Sequence, residues 1–191
     1  LSRLQGEGAH VCVVDAPEPG RLAAVAAMAS LPAVFVDGEP RQVFYACDLR
    51  VDPAERGGRT VKRLYDHLTS WGEGQGWSLG VTSVMAGNEA MKAVLAGKGG
   101  LVPYLPAGTM RNYTVQFVLP KRPVRGVTVR PATDADLPAM VALWNRVQRG
   151  KQFAPAWSEA ERRAWLAATP GVGVDDYWLA FRGDRLVGLL L

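Results

Sequence analysis

Leu49-Arg50-Val51-Asp52-Pro53-Ala54-Glu55-Arg56-Gly57-Gly58-Arg59-Thr60-Val61 is the stretch whose reading decides the fold. Upstream of it, Tyr45-Ala46-Cys47-Asp48-Leu49 reads as an apolar strand interrupted by one carboxylate, and Pro53, which has no amide hydrogen to give a ladder, stops it. Downstream, Val61, Leu64, Tyr65, Leu68 and Trp71 fall on one stripe while Lys62, Arg63 and Asp66 face away, which predicts a helix over 60–71. Between strand and helix, Gly57 and Gly58 let the backbone curl and come close to a ligand. Arg56 and Arg59 add guanidinium groups that match phosphate oxygens bidentately. The first amides of a helix have no intrahelical partner and carry the positive end of its dipole. Residues 51–61 are therefore a candidate anion site, and the competing reading is a plain strand-to-helix turn with a solvated basic rim.

Working outward, His10 to Val14 and Arg21 to Ala29 read as two strands that return antiparallel around Asp15-Ala16-Pro17-Glu18-Pro19-Gly20. Val34-Phe35-Val36 is expected to meet Val43-Phe44-Tyr45 across Asp37-Gly38-Glu39-Pro40. Trp77 to Met85 reads as a buried strand, and Asn88 caps a helix over 89–96. Met110 to Leu119 alternates as a further strand. Pro120 to Gly126 is the linker expected from its prolines and charges. Beyond it come a short strand at Val127 to Arg130, a helix entered through Thr133 and Asp136 with the stripe Leu137, Met140, Val141, Trp144 and Val147, and a second helix entered through Ser158 and Glu161. A hairpin follows around Arg182-Gly183-Asp184.

On these residues the chain resembles the GNAT superfamily of acyl-CoA-dependent N-acyltransferases. The family carries Val-x-Pro-x-x-Arg-Gly-x-Gly-x-Gly/Ala at a strand-to-helix joint, matched here by Val51, Pro53, Arg56 and Gly57, while Arg59 and Val61 stand where its two later glycines would be. The resemblance implies an α/β (α+β) fold, a mixed and mostly antiparallel sheet flanked by helices. It implies that Arg56, Gly57, Gly58, Arg59 and Thr60 hold the pyrophosphate of acetyl-CoA, and that Leu49, Arg50 and Val51 pair with its pantetheine arm. Asn88, before the next helix, would face the cofactor. The family's thiolate-protonating Tyr would fall on Leu95, which leaves Tyr104 as the nearest proton donor, with plain packing as its alternative. Val129-Arg130-Pro131-Ala132-Thr133 and the hairpin after Trp178 resemble the beginning of the same family. The implied organisation is tandem and cut at both ends: residues 1–119 as the late part of one unit, 120–126 as linker, and 127–191 as the early part of a second. The alternative is that both pieces pack into one composite unit.

Chemistry then asks for a base, because only a neutral amine attacks a thioester. Asp48, read as a carboxylate among apolar neighbours, is that candidate through a raised pKa, against an Asp paired with an arginine or an amide. Cys47 as a covalent nucleophile is weaker, since no His lies near it in sequence, and His10 and His67 read as isolated. The expected function is acyl transfer from acetyl-CoA to a small-molecule or protein amine. The other readings are an acyl-CoA-binding module without turnover, and a structural role in which strand edges pair two copies as a homodimer. The rest is bounded by composition. With 191 residues, 48% hydrophobic and 21% charged, the chain has the profile of a globular protein. A net charge of +4 without a long basic run argues against a nucleic-acid partner. No apolar run approaches the ~20 residues of a membrane span. Two cysteines, Cys12 and Cys47, imply buried thiols in a reducing cytoplasm and no metal site.

Overall fold

A computed structural model describes residues 9–56, 59–98, 100–101, 103–114 and 124–191. In chain order the regular elements are β1 (Ala9–Asp15), β2 (Leu22–Ser30), β3 (Val34–Val36), β4 (Glu39–Arg41), β5 (Phe44–Val51), α1 (Thr60–Gly74), β6 (Gly80–Val81), α2 (Glu89–Leu95), β7 (Thr128–Pro131), α3 (Leu137–Gln148), α4 (Glu159–Ala168), β8 (Trp178–Arg182) and β9 (Arg185–Leu190). The chain divides into two units, residues 1–31 with 42–109, and residues 32–41 with 110–191. The fold is mixed α/β, with mostly antiparallel sheets flanked by helices.

The first unit is a four-stranded sheet in the order β1-β2-β5-β6. β1 pairs antiparallel with β2, and β2 antiparallel with β5. β6 is parallel to β5 and meets it only at Phe44–Gly80 and Tyr45–Val81. Helix α1 lies on one face because its period-3.6 stripe has somewhere to go: Leu64, Tyr65 and Leu68 are buried, and Leu64 and Leu68 pack with Cys12, Ala24, Ala26 and Met28. β2 supplies mostly alanine to this contact, so the helix approaches the sheet closely. Gly72 extends that closeness, since a Cβ there would meet the Met28 sulfur at 3.3 Å. Truncating Leu68, which is 1% exposed, to Ala would cost about 2–5 kcal/mol. Gly80 is more constrained still: a Cβ would fall 2.1 Å from the Phe44 ring. His10 and His67, read as isolated, come together where β1 meets α1, with their Nε2 atoms 3.4 Å apart. Sequence distance hid this contact between a strand and a helix.

The second unit contains the three-stranded antiparallel sheet β7-β8-β9 with α3 and α4. Its core joins Ala132, Met140, Leu143, Tyr177, Leu179 and Leu186. The buried positions of α3 are Leu137, Met140 and Leu143, whereas Val147 is 54% exposed, so the stripe turns by one residue from the one expected. The β3–β4 hairpin clusters here rather than with residues 1–31. Phe35 donates its amide to Ala154 and accepts from Phe153, both at 2.8 Å, and Ala156 donates to Ala33 at 2.8 Å.

That hairpin differs from the expected one. Asp37 and Gly38 both have positive φ, 52° and 82°, which closes a two-residue turn and pairs Val36 with Glu39 at once. Phe44–Val51 is thereby released to pair with β2. Two more expected strands shrink. Of 77–85 only Gly80–Val81 is strand, and residues 110–114 have no regular structure, their side chains exposed without a partner strand among the described residues. Residues 115–123, which hold the remainder of that strand and much of the expected linker, lie outside the described residues. No helix among the described residues is long and apolar enough to cross a membrane.

Candidate functional site

β5 carries an irregularity that makes a site. Between Cys47 and Arg50 it holds one residue more than the facing stretch of β2, since Ala27 pairs with Cys47 but Val25 pairs with Arg50. Asp48 sits in this bulge with φ 53°, a left-handed conformation that aspartate tolerates better than most residues. A bulge bends its strand and re-aims side chains.

The other edge of β5 opens at the same place. Pairing with β6 stops after Tyr45, and Thr82 takes over with a side-chain bond from Oγ1 to the Ala46 carbonyl at 2.8 Å. The Tyr45 hydroxyl bonds to the Ser83 hydroxyl. Past these ties the two segments diverge around a cleft of about 410 Å³. Tyr45, Asp48, Leu49, Thr82, Ser83 and Asn88 are among its lining residues, with Tyr65 and Met91 contributed by the helices. The cleft thus has an extended backbone edge on one wall, hydroxyls on the other and apolar surface beside them.

At the end of β5 the chain reaches the corner expected to bind an anion. Asp52 caps a short 3-10 turn at Pro53–Glu55, accepting from the Ala54 amide at 2.8 Å. Its other oxygen accepts from Arg21 Nη2 at 2.9 Å. The Arg21 bond first, and the Ala54 amide after it, hold the Asp52 carboxyl below the usual carboxylate range. Arg21 therefore offsets the charge of Asp52, which would otherwise act on Arg56 alone. Arg56 and Arg59 are exposed, and Arg59 precedes α1 with no side-chain cap on the helix. Thr60 opens α1 half-buried; Gly57 and Gly58 lie outside the described residues. Leu49, Arg50 and Val51 form the last part of β5, with Arg50 opposite Val25 and Val51 opposite Ala24.

Asp48 is exposed, not enclosed by apolar neighbours as its place in the sequence suggested. The bulge is the reason: it breaks the alternation that would have turned the side chain inward. Asn88 caps α2 by accepting from the Met91 amide at 3.1 Å. The backbone of Tyr104 donates to the Leu95 carbonyl at 2.8 Å, which returns the chain to that residue. Its ring meets Tyr65 edge-on, with centroids 6.5 Å apart. Burial pushes the phenols of both tyrosines above their ordinary value. Cys12 is buried, while Cys47 is half-buried and lines the cleft.

The cleft thus gathers Asp48, Leu49 and Asn88 of the expected residues, with Arg56 and Arg59 at the corner beyond Val51. The sequence reading did not single out Tyr45, Thr82, Ser83 or Met91. The available signal was the Thr82-Ser83 pair directly after an apolar segment, where hydroxyls tie off a strand. Tyr65 was read only as core.

No family model and no curated protein matches the chain. Among solved structures, it is similar to a mutant of the BH1408 protein from Bacillus halodurans, at 20% identity over 59% of this chain and 69% of that one, with a TM-score of 0.49. It is also similar to glucosamine-6-phosphate N-acetyltransferase from Arabidopsis thaliana, at 19% identity over 56% and 68% of the two chains, with a TM-score of 0.44. A ribosomal-protein-alanine N-acetyltransferase from Brucella melitensis matches at 20% identity over 60% and 73%, with a TM-score of 0.41.

Proposed function

We propose that this chain binds acetyl-CoA in the cleft between β5 and the segment after β6 and transfers the acyl group to an amine. The observation that carries the reading is the coincidence of three features around one strand: the bulge at Asp48, the end of the β6 register at Tyr45, and the uncapped, arginine-flanked start of α1. An extended thioester arm needs a strand edge to bond to, a polarising amide at its reactive end and positive charge at its diphosphate. The free-edged end of β5 answers to the first, the bulge to the second and the start of α1 to the third.

In this reading Leu49, Arg50 and Val51 bond the pantetheine amides, and Arg56, Arg59 and the first amides of α1, with Gly57, Gly58 and Thr60, receive the diphosphate. A backbone amide at the bulge donates to the thioester oxygen. The nitrogen of the neutral amine bonds to the carbonyl carbon, the C–S bond breaks, and the sulfur leaves as thiolate. Asp48 takes, directly or through water, the one proton that the nitrogen sheds as the amide forms, and Tyr104 gives one to the thiolate. A tyrosine whose phenol is pushed up by burial stays protonated at neutral pH, as that step requires.

A second reading, acyl-CoA binding without turnover, is favoured by the packing of Tyr104 against Tyr65 and by Leu95 at the position where the resemblance puts a proton donor. Two measurements decide. Acetyl-CoA should raise the melting temperature under both readings, and no shift at millimolar ligand overturns both. Release of free thiol with a panel of small amines and peptide N-termini then separates transfer from binding. Asp48→Asn should lower turnover with little change in acetyl-CoA affinity; unchanged turnover removes Asp48 as base.

A further inference from the structure

The contact between β1 and α1 holds a group of side chains that the proposed acyl transfer does not use. His10 and Cys12 lie two residues apart on β1, so both point to the face covered by α1. His67 reaches them from α1. The ligand atoms of His10, Cys12 and His67 all lie within 4.8 Å of one another, and the two Nε2 atoms are 3.4 Å apart.

We infer that His10, Cys12 and His67 form a binding site for a thiophilic d10 metal ion, Zn²⁺ in the first instance. Two imidazole nitrogens, each about 2.0–2.1 Å from a tetrahedral zinc, stand about 3.3–3.4 Å apart, which is the separation seen here. Two imidazoles and one thiolate select zinc-like ions over magnesium or calcium, which take oxygen ligands. His10 is held in place by stacking on Trp71, with centroids 4.4 Å apart, and Cys12 is anchored in the core beside Leu64 and Leu68. His67 is exposed, so an ion has a route in and the third ligand can adjust. On binding, the sulfur–metal bond forms as the thiol proton passes to solvent, and water completes the coordination. The ion would fasten an edge strand to the helix that begins at Thr60.

The test uses the full chain, untagged and stripped of metal. Zn²⁺ alone, titrated against a chromophoric chelator, should bind with one ion per chain and raise the melting temperature by about 5 °C or more at 100 times its Kd. Co²⁺ in its place should give a near-ultraviolet thiolate charge-transfer band and tetrahedral visible bands. His67→Gln, a change at an exposed position that leaves the core intact, should weaken Zn²⁺ roughly 100-fold or more, since losing a ligand costs at least as much as losing an outer-shell partner. Cys12→Ser should abolish the thiolate band and Cys47→Ser should retain it. The inference is overturned by an absence of stoichiometric binding at about micromolar free Zn²⁺, by a Co²⁺ spectrum without the thiolate band, or by His67→Gln binding as tightly as wild type. A site that is only two imidazoles sharing a proton would give the first of these results.

Discussion

Helix α1 and the entry to helix α3 start in opposite ways. Before α3, Asp136 accepts from the Thr133 amide at 2.8 Å and its hydroxyl at 2.7 Å, and both of its oxygens bond Arg130 at 2.6 and 2.7 Å. Every charge there is matched inside the protein. α4 is similar in kind, with the Ser158 hydroxyl accepting from the Glu161 amide. At α1 no side chain caps the helix, and the flanking charges, Arg56 and Arg59, are positive and exposed. A cap typically contributes about 1 kcal/mol, so a helix left without one has foregone stability that a serine or aspartate would supply. The lesson is that helix starts among the described residues differ in whether their flanking charges are matched inside the protein; on the proposed function, the start of α1 is left to an external anion.

The contrast can be broken most sharply at Arg56. Arg56→Ala should weaken acetyl-CoA about 10- to 100-fold, in line with a lost bond between charged groups. Lys62→Ala should change it less than about 3-fold, because Lys62 is already engaged with Asp66 on the same helix. Equal effects in calorimetric titration would misplace the diphosphate. Arg59→Ser goes further by giving α1 the cap that it lacks: affinity should fall about 10-fold while stability to urea rises by about 0.5–1 kcal/mol. A loss of both would mean that Arg59 supports the fold. In the other region, Asp136→Ala should cost about 1–2 kcal/mol of stability and leave acetyl-CoA affinity unchanged. Arg21→Ala should have a smaller effect, about 2- to 5-fold on acetyl-CoA at low salt, because it exposes the phosphate corner to an unbalanced Asp52; the loss should shrink as salt is added.

Acid sharpens the same comparison. Asp136 is held below the usual carboxylate range chiefly by Arg130, with Thr133 adding to it. A depressed folded pKa means that its stabilisation is complete above the ordinary aspartate value of about 3.9 and is lost as pH falls from there through the folded value. Acid unfolding of Asp136→Ala should therefore be less steep below about pH 4 than that of wild type, by a margin visible in circular dichroism.

Much of this was legible in the sequence because it is local. The stripe from Val61 to Trp71 repeats every turn, and Ser158 with Glu161 spells a helix start within four residues. What failed to show depends on partners far along the chain. The Asp37-Gly38 turn was seen, but the two-residue closure that frees Phe44 for β2 depends on both residues adopting positive φ. The bulge that exposes Asp48 is set by pairing with β2, and a strand read alone carries no sign of it. The histidines stand 57 positions apart. Residues 110–114 alternate like a strand, yet alternation makes a strand only where another edge receives it.

Gly80 gives the cleft its apex. The Phe44 ring occupies the space that any side chain at position 80 would need. Even a methyl group would have to displace that ring or lever β6 off β5, where two residue pairs and the Thr82 and Ser83 ties hold the segments together. The angle between the walls is thus governed by an atom that is missing by design of the sequence: enlarge position 80 and the wedge should widen from its root, trim Phe44 and it should slacken. On the proposed function, breadth of accepted acyl groups is then a property that can be tuned from outside the reacting centre, at the point where the walls join.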